Sequence, residues 1–564
     1  MVIREEQFRE ESHWFGSTER PLFGRLTTPV GDTAKGGVLL SPPIGRESRL
    51  ARRALRSLAI HLASDGYVSL RFDHFGTGDS SGSMDDDGFD RAWLEGVNQG
   101  VELLRSLGLF SVSAVGMRMG ATILGAATLG NDMRLTSLAL WDPCESGRTY
   151  VRELRALGTL RPHVVTTGLG ESTTMLEYPL SDEVANRIGQ FNLNEPASRP
   201  SAERVLVVVR DDRKISNDFR ERWDSEHVDW ATTNEQGLML DTELPDSVEP
   251  VLTIAQIRAW LTAPEAQQSQ YLMTRPSLDA VITNESTVFP VRERVVELGT
   301  RRMFGVVSEP VGDVRGPLIV MVNGINEDHV GPSRLWVELS RRWAGLGLRS
   351  VRFDFNELGE SPWLPGQPDR PVFDKTQRCD IGDAVRALNP ENPSESVLIG
   401  LCSGAQVALE AALELKSRGL YAINPQVGAG VLRSANRLRN SDRETVRSFA
   451  QRFDKMRRRH LRFDELIQYM SRLVLFSAFS PKVRPALVEN NSEMLLVLGP
   501  NDVSPYIKIP VVGSLVGHRV TSSKHINVVI VPGLDHDFLS TLGRGRAIAI
   551  LDRHVVETFA DDTL

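Results

Sequence analysis

A long internal repeat constrains the fold of this chain more than any other feature of its sequence. The stretch Leu22-Phe-Gly-Arg-Leu-Thr-Thr-Pro-Val-Gly-Asp32 returns as Met303-Phe-Gly-Val-Val-Ser-Glu-Pro-Val-Gly-Asp313, 281 positions later. At the same offset, Ser69-Leu-Arg-Phe-Asp-His-Phe-Gly-Thr-Gly-Asp-Ser80 returns as Ser350-Val-Arg-Phe-Asp-Phe-Asn-Glu-Leu-Gly-Glu-Ser361. Matches in one register indicate a tandem duplication. We therefore expect two domains, 1–285 and 286–564, because 564 residues are also too many for one hydrophobic core.

Apolar strands alternate with amphipathic helices in the same order in both halves. Strands near 37–40 and 317–322 each precede a helix, at about 48–64 and 333–346, and later helices are expected at about 88–107 and 376–388. This alternation predicts an α/β fold, with a mainly parallel sheet in each half and helices on both of its faces. Functional side chains of such sheets lie at the carboxyl ends of the strands.

A short motif at 396–405 marks one strand end as a site of chemistry. Val397, Leu398 and Ile399 predict a buried strand, Gly400-x-Cys402-x-Gly404 predicts a sharp turn, and a helical pattern follows. This is the pattern of a nucleophile elbow, with cysteine at its centre. The first turn of a helix offers free N–H groups that favour a thiolate. The alternative is a buried cysteine in an ordinary strand–helix turn.

Together with other motifs of the second half, the elbow resembles the α/β-hydrolase superfamily. The resemblance covers almost the whole chain, one domain per half, and its motifs are Asn323-Gly324, Asp354…Gly359-Glu-Ser361, the elbow, Gly499-Pro-Asn-Asp502 and Gly533-Leu-Asp-His536-Asp-Phe. The superfamily orders its catalytic triad as nucleophile, acid and histidine, which here are Cys402, Asp502 and His536. In such a triad the histidine takes and returns the thiol proton, and the acid fixes the ring tautomer.

The resemblance also implies roles for neighbouring residues. The oxyanion hole would use the backbone N–H of Ser403 and that of Gly324 or Ile325. Asp354 and Ser361 are expected to shape their loop rather than react, and His329 is expected at the rim of the site. Asp535 and Asp537 are weaker candidates for the acid, because their side chains would point away from the adjacent His536 ring.

A basic insertion separates the elbow helix from the Asp502 strand. The superfamily usually places a helical lid there, and we expect one at about 431–485. Residues 431–472 contain eleven Arg and one Lys against five Asp or Glu. A solvated charged face is the simpler interpretation. The functional alternative is a docking surface for an anionic partner such as a carrier protein, coenzyme A phosphates or a lipid headgroup.

The first half has lost the residues of this chemistry. Arg118 stands at its elbow, and arginine cannot act as a nucleophile. Asp211 or Asp212 could supply an acid, but after His227 no histidine appears before the second half. We therefore expect a degenerate domain in which Arg118 either pairs with Asp211 or Asp212 or binds an anion.

These features predict an acyltransferase or thioesterase-like enzyme that forms a cysteine thioester, and acyl transfer is favoured because thioesters react readily with amines, thiols and carbanions. The elbow resembles those of polyhydroxyalkanoate synthases, which transfer acyl groups, and of dienelactone hydrolases, which use water. Hydrolysis by the same triad, or a non-catalytic binding protein, are the alternatives. The expected substrate is an activated acyl group, for example a coenzyme A or carrier-protein thioester, and no cofactor or metal is implied.

Composition adds several exclusions. A net charge of −8 argues against general nucleic-acid binding. The N-terminus lacks the apolar core of a signal peptide and no run of 18 apolar residues occurs, so we expect a cytoplasmic protein without a membrane span. Cys144, Cys379 and Cys402 are too few and too scattered for a disulfide framework or a cysteine zinc site.

Overall fold

Two large β-sheets organise the part of the chain that the structure describes. This computed structural model describes residues 7–160, 174–175, 178–194, 200–242, 244–262, 268–272, 277–283, 289–324, 326–363, 375–425, 492–500, 502, 526–536, 538 and 540–559. One sheet has eight strands and the other has nine. Among the described residues, no helix combines the length and the apolar character needed to cross a membrane.

The first sheet and its helices occupy the first half of the chain. Its elements are β1 (Phe8–Gly16), β2 (Pro21–Pro29), β3 (Thr33–Ala34), β4 (Gly37–Ser41), α1 (Arg46–Ser64), β5 (Val68–Phe72), α2 (Phe89–Ser106), β6 (Val112–Met117), α3 (Met119–Gly130), β7 (Leu135–Trp141), α4 (Gly147–Leu160), β8 (Thr174–Met175), β9 (Tyr178–Pro179), α5 (Asp182–Ile188), β10 (Ala202–Arg210), α6 (Asn217–Trp223), β11 (Val228–Thr233), α7 (Gln236–Leu240) and α8 (Val251–Leu261). Its strand order is β1-β2-β5-β4-β6-β7-β10-β11.

The second sheet repeats this arrangement in the second half. The short strand β12 (Ser269–Gln270), which belongs to neither large sheet, comes first. The elements of the second sheet and its helices are β13 (Asp279–Ile282), β14 (Val291–Leu298), β15 (Met303–Pro310), β16 (Arg315–Val322), α9 (Leu335–Gly345), β17 (Leu348–Phe353), α10 (Lys375–Leu388), β18 (Ser396–Leu401), α11 (Ser403–Leu415), β19 (Gly419–Ile423), β20 (Glu493–Leu498), β21 (Ile526–Ile530) and α12 (Thr541–Phe559). Its order is β13-β14-β15-β17-β16-β18-β19-β20-β21. Apart from the edge strand β13, each position corresponds to one in the first sheet.

Both sheets are mainly parallel, as the alternation of strands and helices predicted. In the first, β4 pairs in parallel with β5 and β6, while β1 and β2 form an antiparallel hairpin at the edge. In the second, β16 lies in parallel between β17 and β18. The four predicted helices are α1, α2, α9 and α10, which begin and end within about two residues of the expected positions.

Helices cover both faces of each sheet. Successive residues of a strand point to opposite faces, and both faces carry apolar side chains that pack against helices. In the first sheet, Leu39 packs in the core under α2 and α3, whereas Val38 and Leu40 pack in the core under α1 and α8. In the second, Val320 faces α10 and α11, and Ile319 faces α9 and α12. Each half therefore has the three-layer core that its strand pattern predicted.

The change from one sheet to the other comes before residue 285. The short strand β12 still pairs with β3 of the first half, but β13 pairs with β14 of the second sheet. The expected domain boundary at 285 would place β13 in the first half, although β13 is hydrogen-bonded to the second sheet. The sheets themselves change over between Gln270 and Asp279.

The two halves meet through a reciprocal pair of buried ion pairs. Arg71 of the first half binds Glu360 of the second, with the closest N–O distance at 2.7 Å. Arg352, which is 281 positions after Arg71, binds Asp79 of the first half at 3.0 Å. Glu360 is likewise 281 positions after Asp79. The arginine of each half thus binds the acidic residue of the other half at the equivalent position. Contacts in a twofold symmetric dimer are reciprocal in the same way.

Candidate active site

Cys402 lies in a strained turn between β18 and α11. Its φ and ψ are 56° and −120°, a region that residues other than glycine rarely adopt. A Cβ on Gly400 would lie 2.5 Å from the carbonyl carbon of Gly404, and one on Gly404 would lie 2.6 Å from the carbonyl oxygen of Asn323. Because no side chain fits in either place, both glycines are required. The predicted strand, turn and helix are confirmed.

The imidazole of His536 bridges Cys402 and Asp502. Its Nε2 lies 3.1 Å from the Cys402 Sγ, and its Nδ1 lies 2.7 Å from Oδ1 of Asp502. The three residues come after β18, β20 and β21, whose carboxyl ends share one edge of the sheet. The structure therefore brings together the three side chains that the motif order singled out.

The surroundings of His536 favour its charged form. Burial alone would lower the pKa of His536, but the hydrogen bonds to Asp502 and Cys402 and the charges on these partners outweigh it and raise the pKa to about 11. At neutral pH both ring nitrogens then carry protons, one facing the carboxylate and the other facing the sulfur. A positively charged ring therefore lies 3.1 Å from the Cys402 sulfur.

Asp535, one of the two weaker acid candidates, has a described partner of its own. The Oδ2 of Asp535 accepts a hydrogen bond from the backbone N–H of Ser540, just before α12. Asp537 lies outside the described residues. Among the described carboxylates, Asp502 is the one bound to the His536 ring.

Asn424 is a part of the site that the sequence reasoning missed. It follows β19 directly, is fully buried and has a φ of 40°. Its Nδ2 donates to the carbonyl oxygens of Asp535 and His536, at 3.0 and 3.1 Å, and its Oδ1 accepts from the N–H of Gly499 at 2.7 Å. One side chain thus connects the loop that carries the acid to the loop that carries the histidine. A polar residue directly after a buried strand was the available signal.

The loop after β16, which contains the predicted oxyanion residue Gly324, lies close to the elbow. A Cβ placed on Gly324 would lie 3.6 Å from the Ser403 hydroxyl oxygen. That hydroxyl oxygen, Oδ1 of Asn323 and Oδ2 of Asp502 are buried without a hydrogen-bond partner among the described residues. Unpartnered polar atoms of this kind are typical of a site that binds a polar group. Ile325, the other predicted donor, lies outside the described residues.

His329 is buried rather than at the rim, which corrects the prediction. It has no exposed surface, and its ring nitrogens lie 2.8 Å from Oδ2 of Asp354 and 2.6 Å from Oδ2 of Asp79. The error arose because Asp79 comes from the other half, 250 residues away. Asp354 and Ser361 shape their loop as expected: Asp354 accepts the N–H of Glu360, and the Ser361 hydroxyl donates to the Asp354 carbonyl.

Arg118 has the same backbone conformation as Cys402 but a different setting. Its φ and ψ are 52° and −123°. The side chain is buried and contacts Glu47 and Glu153 at 2.9 Å and Asp142 at 3.6 Å. These carboxylates, and not Asp211 or Asp212, are the described ion-pair partners; Asp212 instead pairs with Arg210. Because they already balance the guanidinium charge, we propose no anion site at Arg118.

The predicted lid at 431–485 lies entirely outside the described residues, and so does its basic cluster. Its role as a docking surface stays a prediction.

Comparisons with known proteins find solved structures but no related sequence. No family model and no curated protein matches the chain. XC6422 from Xanthomonas campestris, described as an a/b serine hydrolase without lid, is 16% identical with a TM-score of 0.29, and the match covers 51% of this chain and 99% of that one. The dienelactone hydrolase-like promiscuous phosphotriesterase P91 from metagenomic libraries is 14% identical with a TM-score of 0.30, covering 48% and 99%. Proline iminopeptidase from Mycobacterium smegmatis is 14% identical with a TM-score of 0.29, covering 45% and 97%.

These neighbours are α/β hydrolases. Each is matched over nearly its whole length by about half of this chain. With TM-scores of 0.29 and 0.30, these matches carry no conclusion about the reaction of this chain.

Proposed function

We propose that the second half of the chain is an acyl-transfer enzyme that forms a thioester on Cys402. The observation that carries the proposal is the alignment of Sγ, the His536 ring and the Asp502 carboxylate, with distances of 3.1 and 2.7 Å. In this reaction the thiolate attacks the carbonyl carbon of an activated acyl group. His536 then protonates the leaving group, which departs as a thiol or alcohol.

The second step returns the cysteine to its starting state. His536, now neutral, takes the proton of an acceptor amine, thiol or alcohol, which attacks the thioester carbonyl. The C–S bond breaks and Cys402 leaves as the thiolate, so that the acyl group ends on the acceptor. Ser403 and Gly324 would donate backbone N–H groups to the oxyanion in both steps. Asp502 keeps the ring oriented and stabilises its charge.

We also infer that the two halves, about 1–285 and 286–564, arose by duplication and that the first is a non-catalytic copy. The shared strand order, the constant offset of 281 and the matching backbone angles of Arg118 and Cys402 support this inference. Arg118 cannot act as a nucleophile, and its three carboxylate neighbours hold it in place.

Intact-mass measurement after incubation with a panel of acyl thioester donors tests the proposed reaction. We expect an acyl adduct in wild type and in Cys379→Ala, which removes an exposed cysteine elsewhere on the surface, but none in Cys402→Ala. An adduct that persists until an amine, thiol or alcohol is added indicates acyl transfer. Rapid loss of the adduct in water would instead identify a hydrolase with the same residues. No adduct with any donor would contradict the enzyme proposal and favour a binding protein.

A further inference from the structure

Three consecutive residues of the loop after β16 are each bound by a side chain of the first half. Glu327 Oε1 lies 2.8 Å from Nη2 of Arg49, and Asp328 Oδ2 lies 3.0 Å from Nε of Arg52. His329 Nε2 lies 2.6 Å from Oδ2 of Asp79. Arg49 and Arg52 are on α1, and Asp79 follows β5. The non-catalytic half thus contacts the loop that begins at the proposed oxyanion residue Gly324.

The second half has a loop where the first half has helix. Helices α1 and α9 end at equivalent positions, 64 and 345, but α1 has 19 residues and α9 has 11. The residues of the second half that correspond to the first two turns of α1 lie in the segment 323–334, of which 323–324 and 326–334 are described, and these contain a single 3₁₀ turn at Pro332–Arg334. Without the hydrogen bonds of an α-helix, this segment depends more on side-chain contacts for its order.

The contacts continue to the end of this segment. The guanidinium of Arg334 donates to the carbonyl oxygens of Gly78, Ser80 and Gly82 in the first half. The segment is therefore held near its middle by α1 and Asp79, and at its end by the 78–82 loop.

His329 is the most constrained residue of the segment. Its backbone N–H donates to Oδ1 of Asp354 at 2.7 Å, and both of its ring nitrogens face carboxylates. Since a carboxylate can only accept, both ring nitrogens must carry protons. The resulting imidazolium links Asp354 of the second half to Asp79 of the first. All three side chains are fully buried, so the link is shielded from water and salt.

Glu327 connects the contact with Arg49 to Gly324 and the elbow. A Cβ on Gly324 would lie 3.3 Å from Oε2 of Glu327 and 3.6 Å from Oγ of Ser403. Gly324 therefore lies close both to the carboxylate that Arg49 binds and to Ser403, the first residue after Cys402. A shift of Glu327 would move Gly324 relative to the sulfur.

We propose that Arg49, Arg52 and Asp79 are positioning residues, through which the non-catalytic first half holds the oxyanion loop of the second half in place for reaction at Cys402. This inference rests on the proposed function, because it assigns Gly324 to the oxyanion hole. It gives the first half a role in turnover although the first half contains no nucleophile of its own.

The test distinguishes an effect on the oxyanion loop from an effect on the nucleophile Cys402. Alkylation of Cys402 by iodoacetamide needs the thiolate but no oxyanion hole, whereas acylation by a thioester needs both. In the double variant Arg49→Gln/Arg52→Gln we expect the single-turnover acylation rate to fall about 10²-fold, the usual cost of misplacing a reacting group by ~1 Å. The alkylation rate should stay within about twofold of wild type. Arg49→Lys should recover much of the loss, since the contact to Glu327 uses a single nitrogen.

Arg258→Gln serves as a matched control. It breaks an ion pair of similar exposure, with Asp65, that lies within the first half. This control should leave both rates unchanged. Unchanged acylation in a folded Arg49→Gln/Arg52→Gln protein, or an equal fall in acylation and alkylation, would overturn the proposal.

Hydrogen exchange tests, without an activity measurement, whether Arg49 and Arg52 order the segment 323–334. In Arg49→Gln/Arg52→Gln the amides of 323–334 should exchange faster, while those of α11 should not change. If the wild type shows no acylation, the proposed function fails, and exchange still reports whether the first half orders the loop. If exchange of 323–334 is unchanged, the positioning role fails even when acylation is found.

Discussion

Replacing Asn424 with aspartate is a sharp perturbation of the candidate site, because the two side chains have the same shape. Asparagine donates to the carbonyl oxygens of Asp535 and His536 and accepts from Gly499. Aspartate keeps the acceptor but cannot donate, so it would turn two hydrogen bonds into contacts between oxygen atoms. The backbone should tolerate the change, because Asp142 occupies the corresponding place after β7 with a φ of 47°.

The expected cost follows from burial. Asn424 has no exposed surface. A buried group that loses its partner costs about 1–3 kcal/mol, so two carbonyl groups and a buried charge should lower the free energy of unfolding by roughly 2–4 kcal/mol. We also expect the His536 loop to move, and a displacement of ~1 Å at a reacting group lowers the rate about 10²-fold. Urea denaturation and the single-turnover acylation rate measure these two effects.

Asp142→Asn is the matched control. It makes the reverse exchange at the equivalent position of the first half, where Asp142 lies 3.6 Å from Arg118 rather than beside a histidine loop. We expect its acylation rate to equal that of wild type. The reasoning would be refuted if Asn424→Asp acylated at the wild-type rate, or if Asp142→Asn slowed acylation as strongly.

Two further predictions concern the ring and the elbow. The folded-state pKa of His536, about 11, lies above its ordinary value of 6.5, so its ion pair contributes stability that is fully present below pH 6.5 and is lost as the pH rises through about 11. The difference in unfolding free energy between wild type and His536→Asn should therefore shrink over this interval. Cys402 alkylation at pH 7 should be roughly tenfold slower in the variant, because asparagine cannot place a positive charge beside the sulfur; equal rates would contradict the role of the imidazolium. Gly404→Ala should destabilise the protein by about 1–3 kcal/mol, because its Cβ would lie 2.6 Å from two carbonyl oxygens. The control Gly345→Ala, whose Cβ would meet nothing within 4 Å, should unfold at the same or a higher urea concentration.

The predictable parts of this molecule are those encoded over short distances in the sequence. The turn at Cys402 needs two glycines at fixed spacing, and Asp502 and His536 each follow an apolar strand. Periodicity and motif order were therefore enough to predict that these three residues lie close together. The same local rules predicted the helices α1, α2, α9 and α10. These features depend on the chain immediately beside them.

The parts that were missed depend on distant residues. The burial of His329 requires Asp79, which lies 250 positions earlier, and spacing within one half gives no sign of it. Two of the three partners of Arg118, Glu47 and Glu153, come from α1 and α4, and packing decides which face of each helix turns toward the elbow. Asn424 was missed for another reason: an amide side chain is not itself a reactive group, and its importance appears only when both loops that it binds are in place.

Equivalent positions in the two halves combine nearly the same backbone conformation with different side-chain chemistry. Arg118 and Cys402 have nearly the same φ and ψ, and so the strained turn does not itself require a nucleophile. The residue after the next strand changes with it: Asp142 offsets the charge of Arg118, whereas Asn424 is neutral and binds the histidine loop. An aspartate at 424 would place a charge near Asp502, and an asparagine at 142 would remove a counter-charge from a buried guanidinium. The elbow residue and the residue after the next strand are therefore matched within each half: Arg118 with Asp142, and Cys402 with Asn424. Replacing one member of such a pair by its counterpart from the other half should lower the stability more than replacing both members.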